Sequence, residues 1–391
     1  MLITNQNELD QFCSKIKTCE FITIDTEFLR EKTYYPKLCL IQIGTPEGDA
    51  VAIDPLEGNL DISPVYDLLL DKNILKIIHA GRQDLEIFFK LTGKVVHPFF
   101  DTQIAAMVCG YGDSVGYESL VRNITGATLD KSVQFTNWAI RPLSKKQLDY
   151  ALGDVTHLVQ IYIHLAAELE KRGRISWVYQ EEGVLSDPAT YENHPENAWK
   201  RIKVKSPKPK TLAILRELAK WREKKAQERD IPRPWIIRDD TLADMAAQAP
   251  KTTDQLKKIR NMSADAAKGH TGELLLDLIK KALESDKKTW PKIEKKIQLP
   301  RNASATLDIL RMLLKIQSTH HDVASKLIAS KEDLEALASQ DEPDIPAMHG
   351  WRFEVFGQYA RALKEGRLAI GLKDGKITQF EVSESLSLYN E

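Results

Sequence analysis

Two hydrophobic periods alternate along this chain, and the change from one to the other divides it. Near the start, Leu9, Phe12, Cys13 and Ile16 recur at helical spacing, which predicts a short helix over Asn7–Ile16. Three β-prone runs follow: Phe21–Glu27 (FITIDTE), Leu38–Ile43 (LCLIQI) and Ala50–Ile53. Turn residues Thr45-Pro-Glu-Gly-Asp separate the last two, and connections this short predict an antiparallel meander. Helix and strand then alternate. Ile62–Leu70 reads as helix, Ile74–Ile78 as a buried strand, His79-Ala-Gly81 as a turn and Gln83–Leu91 as another helix. Phe100-Asp101-Thr-Gln opens a further helix, with Asp101 as a candidate N-cap. Ser144 caps the longest helix of this half, which runs to about Lys171 with Leu148, Leu152, Val155 and Leu158 as its core stripe. The expected fold is an α/β domain with a mixed sheet.

From about Gly173 the pattern loosens into a segment carrying Pro, Asn and Gly, read as a linker that packs partly on the first domain. Ser206-Pro-Lys-Pro-Lys210 marks a boundary, and beyond it the chain is almost wholly helical. An internal repeat lies in this half: TLAILREL from Thr211 and TLDILRML from Thr306 match at six of eight positions. IIRDDTLADMA from Ile236 similarly parallels LIASKEDLEALA from Leu327. Two small all-α bundles are expected. The expected divisions are 1–172, a linker over 173–207, bundles over 208–286 and 300–372, and an acidic tail over 373–391.

Composition changes this picture little. The 391 residues suit two or three domains, and 42% apolar with 28% charged residues is ordinary for a globular chain. Net charge is −1, so any attraction to nucleic acid must be local. Two basic clusters qualify: one within Lys200–Lys225, the other Lys287, Lys288, Lys292, Lys295, Lys296 and Arg301. Such clusters serve phosphate binding, or are simply solvated helix faces. Cys13, Cys19, Cys39 and Cys109 show no zinc spacing, which suits a reducing compartment. The N-terminus lacks signal-peptide character and no apolar run approaches membrane-spanning length, so a cytoplasmic protein is expected.

The candidate chemistry begins at Asp25 and Glu27. Side chains two apart on a strand share a face, so their carboxylates lie side by side and raise each other's pKa. Paired hard oxygens suit Mg²⁺ or Mn²⁺, although D-x-E alone also fits a solvated acidic turn. Asp84 stands in the first turn of a helix, where the helix dipole favours an acid in any case. Tyr150 and Asp154, four apart on the long helix, share one face beside its core stripe.

In this order, Asp25/Glu27, Asp84 and Tyr150/Asp154 resemble the DEDDy branch of the DEDD 3′-to-5′ exonucleases, which have a ribonuclease H-like fold. The words IDTEFLREKTYYPKLCLIQIG, HAGRQDLEIF, FFDTQIAA and NWAIRPLSKKQLDYALGDV narrow the resemblance to the ribonuclease D family. LAKWREKKAQERDIPRPWIIRDDTL resembles an HRDC domain, an accessory nucleic-acid or protein contact in that family; the second helical copy lacks the IPRPWII word.

The resemblance implies an RNA 3′ exonuclease that releases 5′-mononucleotides by a two-metal mechanism. Asp25, Glu27 and Asp154 would hold one Mg²⁺ or Mn²⁺; Asp25 would bridge to a second, positioned with help from Asp84, and Tyr150 would orient the attacking water. Tyrosine's ordinary pKa near ~10 makes it a poor general base at neutral pH. The implied substrate is structured RNA with a short 3′ extension, notably tRNA precursors, handled by a monomer. His79, Arg141 and Tyr34 are candidate substrate contacts, with Arg30, Lys32 and Tyr35 beside the catalytic strand. A satisfied turn histidine and a surface salt bridge are the rival readings of His79 and Arg141. Two alternatives stay open: a DNA 3′ exonuclease of the same superfamily, and a non-catalytic nucleic-acid-binding protein that retains the fold.

Overall fold

The apolar runs of the first half assemble into one sheet. Its strands are β1 (Leu2–Ile3), β2 (Phe21–Leu29), β3 (Lys37–Gly44), β4 (Ala50–Ile53), β5 (Leu75–Ile78) and β6 (Phe99–Asp101), in spatial order β1-β4-β3-β2-β5-β6. β2, β3 and β4 form the antiparallel meander, while β1, β5 and β6 pair parallel to their neighbours. The computed structural model describes residues 1–293 and 303–382. Lys295, Lys296 and Arg301 of the second basic cluster, and residues 383–391 of the expected tail, lie outside the described residues.

Helices cover both faces of the sheet, which is why β3 reads as an unbroken apolar run instead of an alternating one. α1 (Gln6–Ile16), α2 (Ser63–Leu70) and α3 (Arg82–Thr92) bury Leu9, Phe12, Leu68 and Phe88 with Ile22 and Ile24 on one face. α4 (Thr102–Val108), the one-turn α5 (Tyr117–Leu120) and the 28-residue α6 (Lys145–Arg172) cover the other. A capping box between Ser144 and Gln147 starts α6, and left-handed Gly173 ends it. The buried stripe of α6 is set by Ala151, Val155 and Leu158, with Leu148 and Leu152 half-buried, a slight rotation from the expected stripe.

The segment read as a linker is not one. It contains α7 (Ile175–Ser186), whose Val178 and Glu182 are buried, and Tyr191 enters the sheet's core. Ala198 and Ile202, a few residues on, already belong to the next core. Short apolar contacts on two separate bodies break the periodicity that would have marked the helix.

The first helical bundle comprises α8 (Pro209–Arg229), α9 (Arg233–Ile236), α10 (Asp239–Gln248), α11 (Thr253–Leu256), α12 (Ala264–Lys268) and α13 (His270–Glu284), around Leu215, Leu218, Met245, Leu275 and Ile279. The second comprises α14 (Ala303–His321), α15 (Ser325–Ile328), α16 (Lys331–Ser339), α17 (Gly350–Arg352) and α18 (Gln358–Lys364), around Leu310, Leu313, Leu337 and Phe356. The sequence repeat is therefore repeated order: long helix, single turn, shorter helix. The second bundle continues into a hairpin, β7 (Leu368–Lys373) and β8 (Lys376–Glu381), so the expected tail boundary at 373 falls inside paired backbone.

Two anchors are prominent among the contacts that join the bundles to the sheet domain. Trp177 of α7 stacks on Trp351 at 4.5 Å between centroids, and Arg352 pairs with Glu181. At the other anchor, Tyr34 is 6% exposed, where a substrate contact was expected. Its hydroxyl bonds Glu223 of α8 and accepts from Arg233 at 2.9 Å, and Asp230 accepts from the backbone N–H of Tyr34 and Tyr35.

Arg141 is likewise a structural residue. Its guanidinium grips fully buried Asp54, with Nη2 at 2.7 Å from Oδ1, and donates to the carbonyls of Trp138 and Cys39. It thereby ties the loop before α6 to the edges of β3 and β4. Arg141→Ala leaves Asp54 as an unpaired buried charge and is expected to cost about 3–5 kcal/mol, the usual penalty for breaking a buried pair. The midpoint of urea unfolding measures this.

Candidate active site

β2 lies at the centre of the site because its two neighbours end at different points. It pairs with β5 only over Phe21–Thr23 but with β3 from Thr23 to Leu29, leaving one edge free from Ile24 onward. Asp25 and Glu27 thus sit within the strand, which runs two residues past the expected Phe21–Glu27. The ladder holds both, and a register shift follows at Glu27/Phe28, the kind of bulge that re-aims side chains beside active sites. Strand alternation sends Ile22 and Ile24 to the α1–α3 face, and Asp25 and Glu27 with Thr23 toward α6. Thr23 fixes the approach of α6, its hydroxyl donating to the Val155 carbonyl at 2.8 Å.

Asp154 comes from α6, and carboxylate oxygens of Asp25, Glu27 and Asp154 lie within 4.8 Å of one another. Tyr117 steadies this point of the helix by donating to the Asp154 carbonyl at 2.7 Å. Asp84, at the start of α3, reaches the same cleft across the free edge of β2, its carboxylate accepting from the Thr26 hydroxyl. The turn before α3 places Ala80 at φ 52°, a left-handed conformation. Asp101 holds that turn, its carboxylate accepting from the N–H groups of Ala80 at 2.9 Å, Gly81 at 3.0 Å and Gln103 at 2.8 Å. The N-cap expected at Asp101 is present and also shapes the approach of Asp84.

The cleft, about 630 Å³, is lined by all four acids together with Tyr150 and His79. Burial, then the charges of Asp84, Asp154 and Glu27, push Asp25 well above the usual carboxylate range. Burial and then Asp154 and Asp84 push Glu27 up to about 9. Burial takes Asp154 to about 7 against the opposing Tyr150 hydroxyl and Lys131, and Asp84 to about 6 against its bond from Thr26. The Tyr150 hydroxyl is pushed up by burial and by Asp154, so it stays protonated at neutral pH. His79 is held neutral by burial, its Nδ1 3.0 Å from the Thr102 hydroxyl oxygen. That hydroxyl also donates to the Ile78 carbonyl.

These groups suit hard divalent cations. Three carboxylates converge with no cation among the described residues close enough to pair with them all, and each is costly to ionise alone. Arg141 and Tyr34 do not line the cleft. Arg30, beside the strand, forms a two-pronged pair with Glu86 at 2.9 and 3.0 Å. Tyr117, Lys131 and Phe135 line the cleft without having been picked out in the sequence, because they come from loop and one-turn segments that carry no periodicity.

The chain is similar to known proteins over nearly its whole length. Residues 1–170 match the family model for a 3′-5′ exonuclease, and residues 211–279 match that for an HRDC domain. A protein named ribonuclease D from Nitrobacter hamburgensis is 45% identical over 385 residues, spanning 98% of this chain and 100% of that one. Another of that name, from Sphingobium indicum, is 45% identical over 96% of this chain and 97% of its own. The crystal structure of Escherichia coli RNase D superposes with a TM-score of 0.81 at 31% identity, covering 94% of this chain and 98% of that one.

The raised carboxyl values fix a pH dependence. A folded pKa above the unfolded value near ~4 means that the folded, metal-free chain holds the extra protons. That stability is whole below ~4 and is lost as pH rises through Asp84's about 6, Asp154's about 7 and Glu27's about 9. Thermal melts in EDTA are expected to fall in midpoint from pH 6 to pH 9, and Mn²⁺ to restore more of the midpoint the higher the pH. Glu182, raised to about 8 by burial away from the four acids, accounts for a part that metal does not restore. Parallel melting profiles with and without Mn²⁺ contradict this reading.

Proposed function

The chain belongs to the ribonuclease D family and is a metal-dependent 3′-to-5′ exoribonuclease, and from that premise we propose that Asp25, Glu27, Asp84, Tyr150 and Asp154 carry its reaction. The observation that carries the assignment is the meeting of carboxylate oxygens of Asp25, Glu27 and Asp154 within 4.8 Å, in a cleft that Asp84 and Tyr150 also line. Asp25, Glu27 and Asp154 would hold one divalent ion, and Asp25 with Asp84 a second, Mg²⁺ or Mn²⁺ in each case. When bound, such a pair lowers the pKa of a water and neutralises charge on a leaving oxygen.

The chain's own residues then set the geometry. Tyr150, protonated at neutral pH, would orient the attacking water through its hydroxyl and not take its proton. The Thr26 hydroxyl fixes one oxygen of Asp84, and Asp101 fixes the turn that presents it. Neutral His79 lines the cleft as a candidate contact to the terminal nucleotide. The products are 5′-mononucleotides.

The substrate proposal follows kinship. The Escherichia coli relative is an exoribonuclease involved in structured RNA processing. We extend this to structured RNAs with short 3′ extensions, tRNA precursors foremost, acted on by a monomer in the cytoplasm. No helix among the described residues is long and apolar enough to cross a membrane.

With Mg²⁺ or Mn²⁺ the protein is expected to shorten 5′-labelled RNA stepwise from its 3′ end, and Asp25→Asn or Asp154→Asn to abolish this. Tyr150→Phe should lower kcat about a hundredfold, the scale of a lost alignment contact. Digestion of matched RNA and DNA strands, with free and phosphate-blocked 3′ ends, checks both direction and sugar preference. Full activity in either Asn variant, or activity in EDTA, contradicts the assignment.

A further inference from the structure

The loop between α5 and α6 carries a side chain that the reaction chemistry leaves unused. Phe135 is 94% exposed, yet it lines the catalytic cleft. The backbone beside it is pinned: the N–H of Gln134 donates to the Lys131 carbonyl and the N–H of Thr136 to the Val133 carbonyl, both at 3.1 Å. Gln147 of α6 holds the Thr136 hydroxyl at 3.1 Å, and the buried ring of Trp138 donates to the Gln134 carbonyl. Trp138 in turn lies 6.1 Å, centroid to centroid, from Tyr150. An aromatic ring is thus presented to solvent by an anchored loop, in fixed relation to a reaction residue.

The electrostatics say what such a ring can do. The cleft floor holds four carboxylates, and Lys131 on this wall is drawn toward Glu118 at 3.2 Å. Phosphates approaching that floor gain little before cations bind, so the strand needs an uncharged handle at the entrance. Every nucleobase offers one, its π-face, and stacking on an aromatic side chain tolerates any sequence. A ring this exposed stands at the rim, where the strand enters, and not in the interior that receives the leaving nucleotide.

We propose that Phe135 is a substrate-positioning residue that stacks on a base of single-stranded RNA upstream of the scissile phosphate, at the mouth of the cleft. The proposal rests on the exoribonuclease reading above and adds to it how the 3′ end is guided. The test uses the full chain and a single-stranded oligoribonucleotide with 2-aminopurine near its 3′ end. Phe135→Ala, Phe135→Leu and Phe135→Trp are compared in the Asp25→Asn background for binding, and in the otherwise unaltered chain for turnover.

Loss of one base–aromatic stack is expected to weaken RNA binding about 5- to 100-fold in Phe135→Ala and to relieve 2-aminopurine quenching. KM should rise by more than any change in kcat, Phe135→Trp should restore both readouts, and Phe135→Leu should not. Unchanged affinity, quenching and KM in Phe135→Ala overturn the inference, as does equal rescue by Leu, which indicates apolar contact without stacking. RNA degradation by the unaltered chain is read in the same assay, so failure of the exoribonuclease reading is seen separately from failure of the stack.

Discussion

Four carboxylates share one cleft, and their mutual repulsion is the constraint around which the rest of the molecule is built. Left to itself, a chain that buries Asp25, Glu27, Asp84 and Asp154 together relaxes by protonation or by moving the acids apart. Here the four acids sit on three different mechanical supports. Asp25 and Glu27 are fixed by the β2–β3 ladder, Asp154 by a 28-residue helix capped at both ends, and Asp84 by the start of α3. Raised pKa values, set first by burial and at Asp25 and Glu27 also by the neighbouring acids, mark a site held in place without its counter-charges, and site preorganisation of this kind is what catalysis by positioned cations needs.

The supports are themselves braced from outside the cleft. Glu182 of α7 accepts from the N–H of Asp101 at 2.6 Å, while Asp101 holds the turn leading to Asp84. Arg141 and Asp54 hold the loop that carries Phe135 and Trp138 toward α6. Tyr34, five residues beyond the end of β2 at Leu29, is locked to α8 and α9 by Glu223 and Arg233. The first helical bundle is therefore fastened to the segment that leaves the catalytic strand.

What could be read in the sequence follows from the range over which each feature acts. The elements that carry Asp25, Glu27, Asp84, Tyr150 and Asp154 were legible from their periods, whereas grouping the five as one site came from the family resemblance. The capping box at Ser144 and the repeated Thr211 and Thr306 words were legible for the same local reason. Arg141 and Tyr34 were misread because a basic or aromatic residue beside a catalytic word looks the same whether it meets RNA or Asp54 and Glu223. Their partners lie 87 and 189 residues away in sequence, a distance no local pattern spans. α7 was read as linker because its buried contacts, Val178 and Glu182, depend on surfaces assembled by other elements. Phe135 carried no signal, since exposure is a property of the fold.

The proton count on metal binding reports directly on the buried carboxylates. Calorimetric titration of the metal-free chain with Mn²⁺ at pH 7, in buffers of different ionisation enthalpy, measures protons released per ion bound. Because Glu27 stands at about 9 and Asp154 at about 7 without metal, about one or more protons per chain are expected to be released, fewer in Glu27→Gln. Binding with no net proton release, which requires carboxylates already ionised in the empty cleft, contradicts that expectation.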